Sequence, residues 1–195
     1  MENNNKEPQS IIFIVGDLVN LRLLKESDLY TLLSLVNNPK IREISLKRKP
    51  ITEATEKKWL EKNIIGRDDE IHLGIIVPDK DDIIGIICLY DINQIHGTAY
   101  LGIIINPSFQ GKGYGPKSVN MIINYAFTHL NLRKINWSTY ASNKHSIICA
   151  QKCGFIEEAK IKDQYQVGNN LIDEVILSIF RKDFLINNNL KEIVL

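Results

Sequence analysis

The amino-acid sequence predicts an α+β fold: a mixed, mostly antiparallel sheet of about six to seven strands, about four helices and a central β-α-β crossover. Three observations carry this. Apolar runs rich in isoleucine at 71–77, 83–90 and 98–105 are separated only by tight polar turns at 78–82 and 93–97, the pattern of a meander. Beyond the third run, Val119, Ile122, Ile123, Ala126, Phe127 and Leu130 recur at helical spacing and mark one buried face. Residues 134–140 then read as another strand, so strand, helix and strand make a parallel crossover.

The remaining elements follow in order. Residues 1–10 are polar and Asn-rich, a loose tail ahead of a single domain over 11–195. The alternation in 18–24 predicts a first strand. Ser27 is placed to cap a helix with Leu29, Leu32, Leu33 and Val36 as its stripe, closed by Asn37-Asn38-Pro39. Thr52 and Gly66 bracket a second helix carrying Trp59, Leu60 and Ile64 on one side. Asn143 caps a short helix ending at Lys152, with Gly154 just past its end. Residues 155–159 and 171–180 flank a turn at Gly168-Asn169-Asn170.

The totals exclude several classes. At 195 residues the chain buries a real core, and 24 basic against 23 acidic residues leave a net charge of +1, without the basic face of a nucleic-acid platform. Cys88, Cys149 and Cys153 are odd in number, which argues against a disulfide framework and for a reducing cytoplasm. Cys149 and Cys153 lie four apart with no histidine cluster beside them, so they read as buried apolar thiols and no metal site is expected. The apolar run 11–16 is too short to span a bilayer, and Glu2 and Glu7 ahead of it do not suit a signal peptide; no membrane is expected as partner.

The chemistry concentrates in Gln110-Gly111-Lys112-Gly113-Tyr114-Gly115, between a strand and a helix. N–H groups at a helix start lack partners inside the helix and carry the positive end of its dipole. Glycine admits an anion to the main chain, so the loop reads as a pyrophosphate cradle. A P-loop needs Gly-x4-Gly-Lys-Ser/Thr, which is absent. The dinucleotide fingerprint fails as well, because its third glycine would fall on Pro116 or Ser118.

This loop resembles the Q/R-x-x-G-x-G/A loop of the GNAT superfamily of N-acetyltransferases. Asn143-x-x-Ser146 and Lys152-Cys-Gly154-Phe155 are similar to the N-x-x-S…K-x-G-F segment of the branch that acetylates ribosomal-protein N-termini and of related small-amine acetyltransferases. Leu21-Arg22-Leu23-Leu24…Asp28, Asn38-Pro39 and Gly168…Asp173 fit that branch too, so the resemblance spans about residues 18–182. It implies a GNAT-like fold and transfer of acetyl from acetyl-CoA, as co-substrate, to a primary amine. On that resemblance the expected acceptor is a protein N-terminus or a small molecule, attacking directly in a ternary complex, and a monomer or homodimer is expected.

By that resemblance the strand ending at Ile103, Ile104 and Ile105 splays from 134–140 and offers its main chain to pantetheine. Gln110 to Gly115, Asn143 and Lys152 contact the co-substrate; Ser146, Asn143 and Tyr100 are the candidate catalytic residues, with Ser146 protonating the departing thiolate. Many relatives use a tyrosine acid where Ala150 stands here; Tyr140 is a substitute, or a core aromatic. Relatives carry a glutamate base where Tyr100 stands, and a phenol with an ordinary pKa of about 10 is a poor base. Asp91, Glu70 and Asp173 are alternatives, as is a water-mediated base. Pro116, read as the first helical residue, lacks an N–H that phosphate would use. With tyrosine and glutamate both missing, a non-catalytic acyl-CoA sensor of the same fold is the rival reading. No dense acidic cluster marks the sequence as a polyamine enzyme.

Overall fold

The computed structural model describes residues 10–45 and 49–187. Its strands are β1 (Ile12–Ile14), β2 (Asn20–Leu23), β3 (Ile71–Ile76), β4 (Ile83–Asn93), β5 (Thr98–Ile105), β6 (Lys134–Tyr140), β7 (Ile156–Val167) and β8 (Asn170–Phe180). Its helices are α1 (Leu29–Val36), α2 (Pro39–Ile44), α3 (Glu53–Ile65), α4 (Tyr114–Thr128), α5 (Lys144–Lys152) and α6 (Arg181–Asn187). One eight-stranded sheet runs β1-β2-β3-β4-β5-β6-β8-β7. Every pairing is antiparallel except β5 with β6, so the α+β class and the single crossover through α4 hold.

The expected counts were low: the described residues hold eight strands and six α-helices. The added elements are β1, α2 and α6. Asn38-Pro39 does not merely end α1, because the Asn38 side chain accepts the Lys40 N–H at 3.0 Å and Pro39 opens α2. Proline at a first helical position is a start signal as readily as a stop signal. Ser27 lies inside a 3₁₀ turn (Glu26–Asp28), and the Asp28 carboxylate, not Ser27, closes that turn by accepting the Lys25 N–H at 2.9 Å. In α1, Leu32 and Leu35 are the buried pair, and in α3 Ile64 faces solvent while Leu60 turns inward. The tail expected over 1–10 lies, apart from Ser10, outside the described residues.

Two cores sandwich the sheet. Val119, Ile122, Ile123, Ala126 and Phe127 of α4 pack with Ala150 of α5 and Phe184 of α6 on one face, over Leu101, Ile135, Trp137 and Leu177. Leu32, Leu35, Ile41 and Leu60 of α1, α2 and α3 cover Ile76, Ile83 and Ile86 on the other, with Ile104 against them. Since successive strand side chains point to opposite faces, Ile103 and Ile105 join the α4 core and Ile104 joins the α1–α3 core.

Arg22 ties the second core together. Its guanidinium is fully buried and grips Asp28 with two bonds, of 2.6 and 2.8 Å. It also donates to the carbonyls of Leu23 (2.8 Å) and Asp81 (2.9 and 3.2 Å). Every guanidinium N–H is thereby used, which is what a buried arginine needs. Removing one partner of such a pair strands a buried charge and costs about 3–5 kcal/mol. Asp28→Ala is therefore expected to lower urea-derived stability by about that amount, and Arg22→Met with Asp28→Leu by much less. Equal losses in the two variants contradict the assignment.

Candidate active site

β5 and β6 pair over only three positions, Thr98 with Lys134, Ala99 with Ile135 and Tyr100 with Asn136. Beyond Tyr100 they part. β5 stays paired with β4 as far as Ile105 opposite Gly85, while β6 stays paired with β8 as far as Tyr140 opposite Glu174. A wedge-shaped gap therefore opens inside the sheet, rimmed by residues 101–105 and 137–140.

Asn106 donates its N–H back to Ile84 of β4 at 2.8 Å, which sets the alternation along β5. Main-chain groups of Ile104 and Gly102 point at β4, and those of Ile103 and Ile105 point into the gap. The Gln110 side chain bears this out by donating to the Ile105 carbonyl at 2.9 Å. Ile103 and Ile105 thus offer the main chain to the gap, whereas Ile104 contributes only a side chain to the second core.

Asn106 also caps a 3₁₀ turn (Pro107–Phe109) by accepting the Ser108 N–H at 3.0 Å, and this turn aims the glycine loop at the gap's mouth. Gly111 and Gly113 have φ of 77° and 84°, conformations that side chains resist. Gly113 is the N-cap of α4, so Pro116 is its third residue rather than its first. Among the described residues, no internal partner takes the N–H of Gly111, Lys112, Gly113, Tyr114 or Gly115. Five exposed or half-exposed donors, three in the loop and two at a helix start, suit a diphosphate. Lys117 is held at 2.6 Å by Asp17, whose carboxyl that hydrogen bond, above all, keeps below the usual value, so Lys112 is the loop's available cation. It lies 5.3 Å from the centre of the Phe109 ring.

α5 starts across the gap from this loop. The Asn143 side chain, nearly buried, accepts the Ser146 N–H at 3.2 Å, confirming the cap. The Trp137 indole N–H donates to Ser146 Oγ at 2.8 Å. That bond occupies an acceptor site on the hydroxyl and leaves its proton available to donate. α5 is pinned to the start of α4 by Cys153, whose Sγ points at the Pro116 carbonyl at 3.6 Å. The Cys149 Sγ also lies 3.6 Å from a Cβ built on Gly115. Lys152 sits exposed in the last turn.

The base candidates come apart. Tyr100 stacks on Tyr90 with centroids 5.5 Å apart. Burial, first of all, pushes the Tyr90 phenol up to about 12. Glu70 is engaged by Arg67 (3.3 Å) and His72 (2.8 Å), and Asp173 by Lys160 (2.9 Å). Asp91 is exposed at a bulge. Tyr140 is buried and donates to the Ser45 carbonyl at 3.4 Å, on the face away from Ser146, so it does not replace the missing tyrosine. Glu174, overlooked in the sequence, is buried at the gap's rim.

An acetyltransferase (GNAT) domain profile matches residues 19–156. That is well over half of the chain. The chain belongs to the GNAT acetyltransferase family. A spermidine N(1)-acetyltransferase of Vibrio cholerae serotype O1 is 30% identical over 168 residues, covering 86% of this chain and 95% of that protein. The crystal structure of the Vibrio cholerae spermidine N-acetyltransferase with CoA and spermine superposes with a TM-score of 0.80 at 28% identity, over 87% of this chain and 99% of that one. A putative ribosomal N-acetyltransferase of Bacillus subtilis is 29% identical over 100 residues, 51% of this chain and 55% of that protein. The resemblance to the ribosomal-protein branch is thus matched over less of the chain than that to the spermidine enzymes. As a GNAT protein the chain is an acetyl-CoA-dependent N-acetyltransferase, and nothing in these likenesses supports a non-catalytic sensor.

Gly113→Asp keeps the space, since the nearest atom to a new Cβ is Leu18 Cδ2 at 3.7 Å, but adds backbone strain and a negative charge. Calorimetry is expected to show CoA affinity reduced at least about 100-fold, from a charge repulsion of a few kcal/mol on the donors of a helix start. Unchanged affinity places the diphosphate elsewhere.

Proposed function

We propose that this acetyltransferase acts on a small cationic amine, with residues 110–115 binding the diphosphate of acetyl-CoA and the β5–β6 gap holding its pantetheine arm. The parting of the two strands after Tyr100 is the observation that carries this reading. The main-chain groups of Ile103 and the N–H of Ile105 give the arm strand-like partners, and an N–H there can face the oxyanion that forms on the thioester carbonyl. Asn143 and Lys152 flank the co-substrate. Ser146, with its acceptor side taken by Trp137, donates its proton to the departing thiolate. Tyr100 lines the acceptor side rather than acting as base.

The acceptor class draws support from the relatives named as spermidine N-acetyltransferases, which align over most of the chain. A protein N-terminus is the second reading, favoured by the putative ribosomal relative. Both bring an ammonium that must shed a proton before attack.

Thiol release from acetyl-CoA against spermidine, spermine, monoamines and peptides with free N-termini tests this. Spermidine or spermine is expected to give the highest kcat/KM. A preference for peptides overturns the acceptor class. No turnover with any amine, at normal CoA affinity, overturns the catalytic reading.

A further inference from the structure

The sheet face away from α4 and α5 carries, beside the gap, a cluster that the donor side does not use. By strand alternation Glu174 of β8 shares this face with Ser138 and Tyr140 of β6, because Val175, Leu177 and Trp137 point into the α4 core. Glu174 is only 9% exposed. Ser138 Oγ donates to its Oε1 in a short hydrogen bond. The Tyr165 phenol lies near the same carboxylate; burial first, and then its interaction with Glu174, raise it above its ordinary value. The Tyr140 ring meets the Tyr165 ring edge-on at 4.8 Å, and the stacked Tyr90–Tyr100 pair stands at the last paired row before the gap.

Among the described residues this carboxylate has no counter-charge: no lysine, arginine or histidine pairs with it. The two lysines that flank Ile161, the β7 partner of Glu174, pair elsewhere, Lys160 with Asp173 at 2.9 Å and Lys162 with Asp163 at 4.0 Å. A buried carboxylate is costly unless a cation offsets its desolvation, and one hydroxyl bond offsets it only in part. Tyr165 beside it is an aromatic ring of the kind that attracts an ammonium.

We propose that Glu174 receives the ammonium group of the acceptor amine and takes the proton it must lose, with Ser138 and Tyr165 holding the carboxylate in place. This rests on the reading of the chain as an amine acetyltransferase. One proton passes from nitrogen to the Glu174 carboxylate. The freed lone pair forms the C–N bond at the thioester carbonyl carbon. The C–S bond then breaks as Ser146 gives its proton to the sulfur, the second proton from nitrogen restores the Ser146 hydroxyl, and Glu174 returns its proton to water. A missing base in β5, where Tyr100 stands, is thereby replaced from β8 across the gap.

The test combines Glu174→Gln with amine binding and a pH series. Calorimetric binding of spermidine is expected to weaken at least 10-fold while CoA affinity stays unchanged. The kcat/KM for spermidine at pH 7 is expected to fall roughly 100-fold, the ordinary range for losing a general base. That deficit should shrink as pH rises and free amine becomes available. A deficit equal at every pH, or spermidine binding as in the parent, overturns the proposal. If Glu174→Gln does not fold, Ser138→Ala and Tyr165→Phe decide: each is expected to lower kcat/KM most at neutral pH, and unchanged profiles in both overturn the role. Loss of CoA binding in the parent protein instead counts against the acetyl-CoA reading itself.

Discussion

The molecule is organised by two strands that begin together and cannot stay together. β5 and β6 share three paired rows, and each then remains bound to its outer neighbour. A sheet normally satisfies every main-chain group along such a seam. Here Ile103 and Ile105 present theirs to an opening instead, half-exposed, so water or a ligand meets them at little desolvation cost. The glycine loop, α4 and α5 all take their places from that opening. The loop begins where β5 ends, α4 carries the chain across to β6, and α5 begins where β6 ends.

The opening has two sides with different chemistry. Toward α4 and α5 lie the helix-start donors, Lys112 and the Trp137–Ser146 pair, suited to an anionic co-substrate and a departing thiolate. Toward the other face lie Glu174 and four tyrosines, suited to a cation. Acetyl transfer to an amine needs that separation, since a diphosphate and an ammonium prefer opposite potentials. On the proposed reading they sit on opposite faces and only the reacting atoms meet in the gap.

Much of the donor side was legible in the residues because its signals are local. The stripe Val119, Ile122, Ile123, Ala126 and Phe127 is a helical period, and all five are buried. Asn143 and Thr52 are caps, and both accept the expected N–H. Glycines at 111 and 113 announce positive φ. What escaped depends on tertiary partners. Asn38-Pro39 can close one helix or open the next, and only α2's packing of Ile41 under α1 and α3 decides. Glu174 sits inside the run Leu171–Ile176 as any surface glutamate of an alternating strand would. Its hydrogen-bond partner Ser138 lies 36 residues away in sequence. The one available hint was that 174, 176 and 178 share a face, a period that needs the register of β6 to interpret.

The central claim is that the gap leaves Ile103 and Ile105 without strand partners until the co-substrate supplies them. Residue-resolved amide hydrogen exchange tests it directly. In the free protein the Ile103 and Ile105 amides are expected to exchange much faster than that of Ile104, which is bound to β4, and to become protected when CoA is added. Equal protection of all three amides in the free protein, or no change at Ile103 and Ile105 on saturation with CoA, contradicts the account.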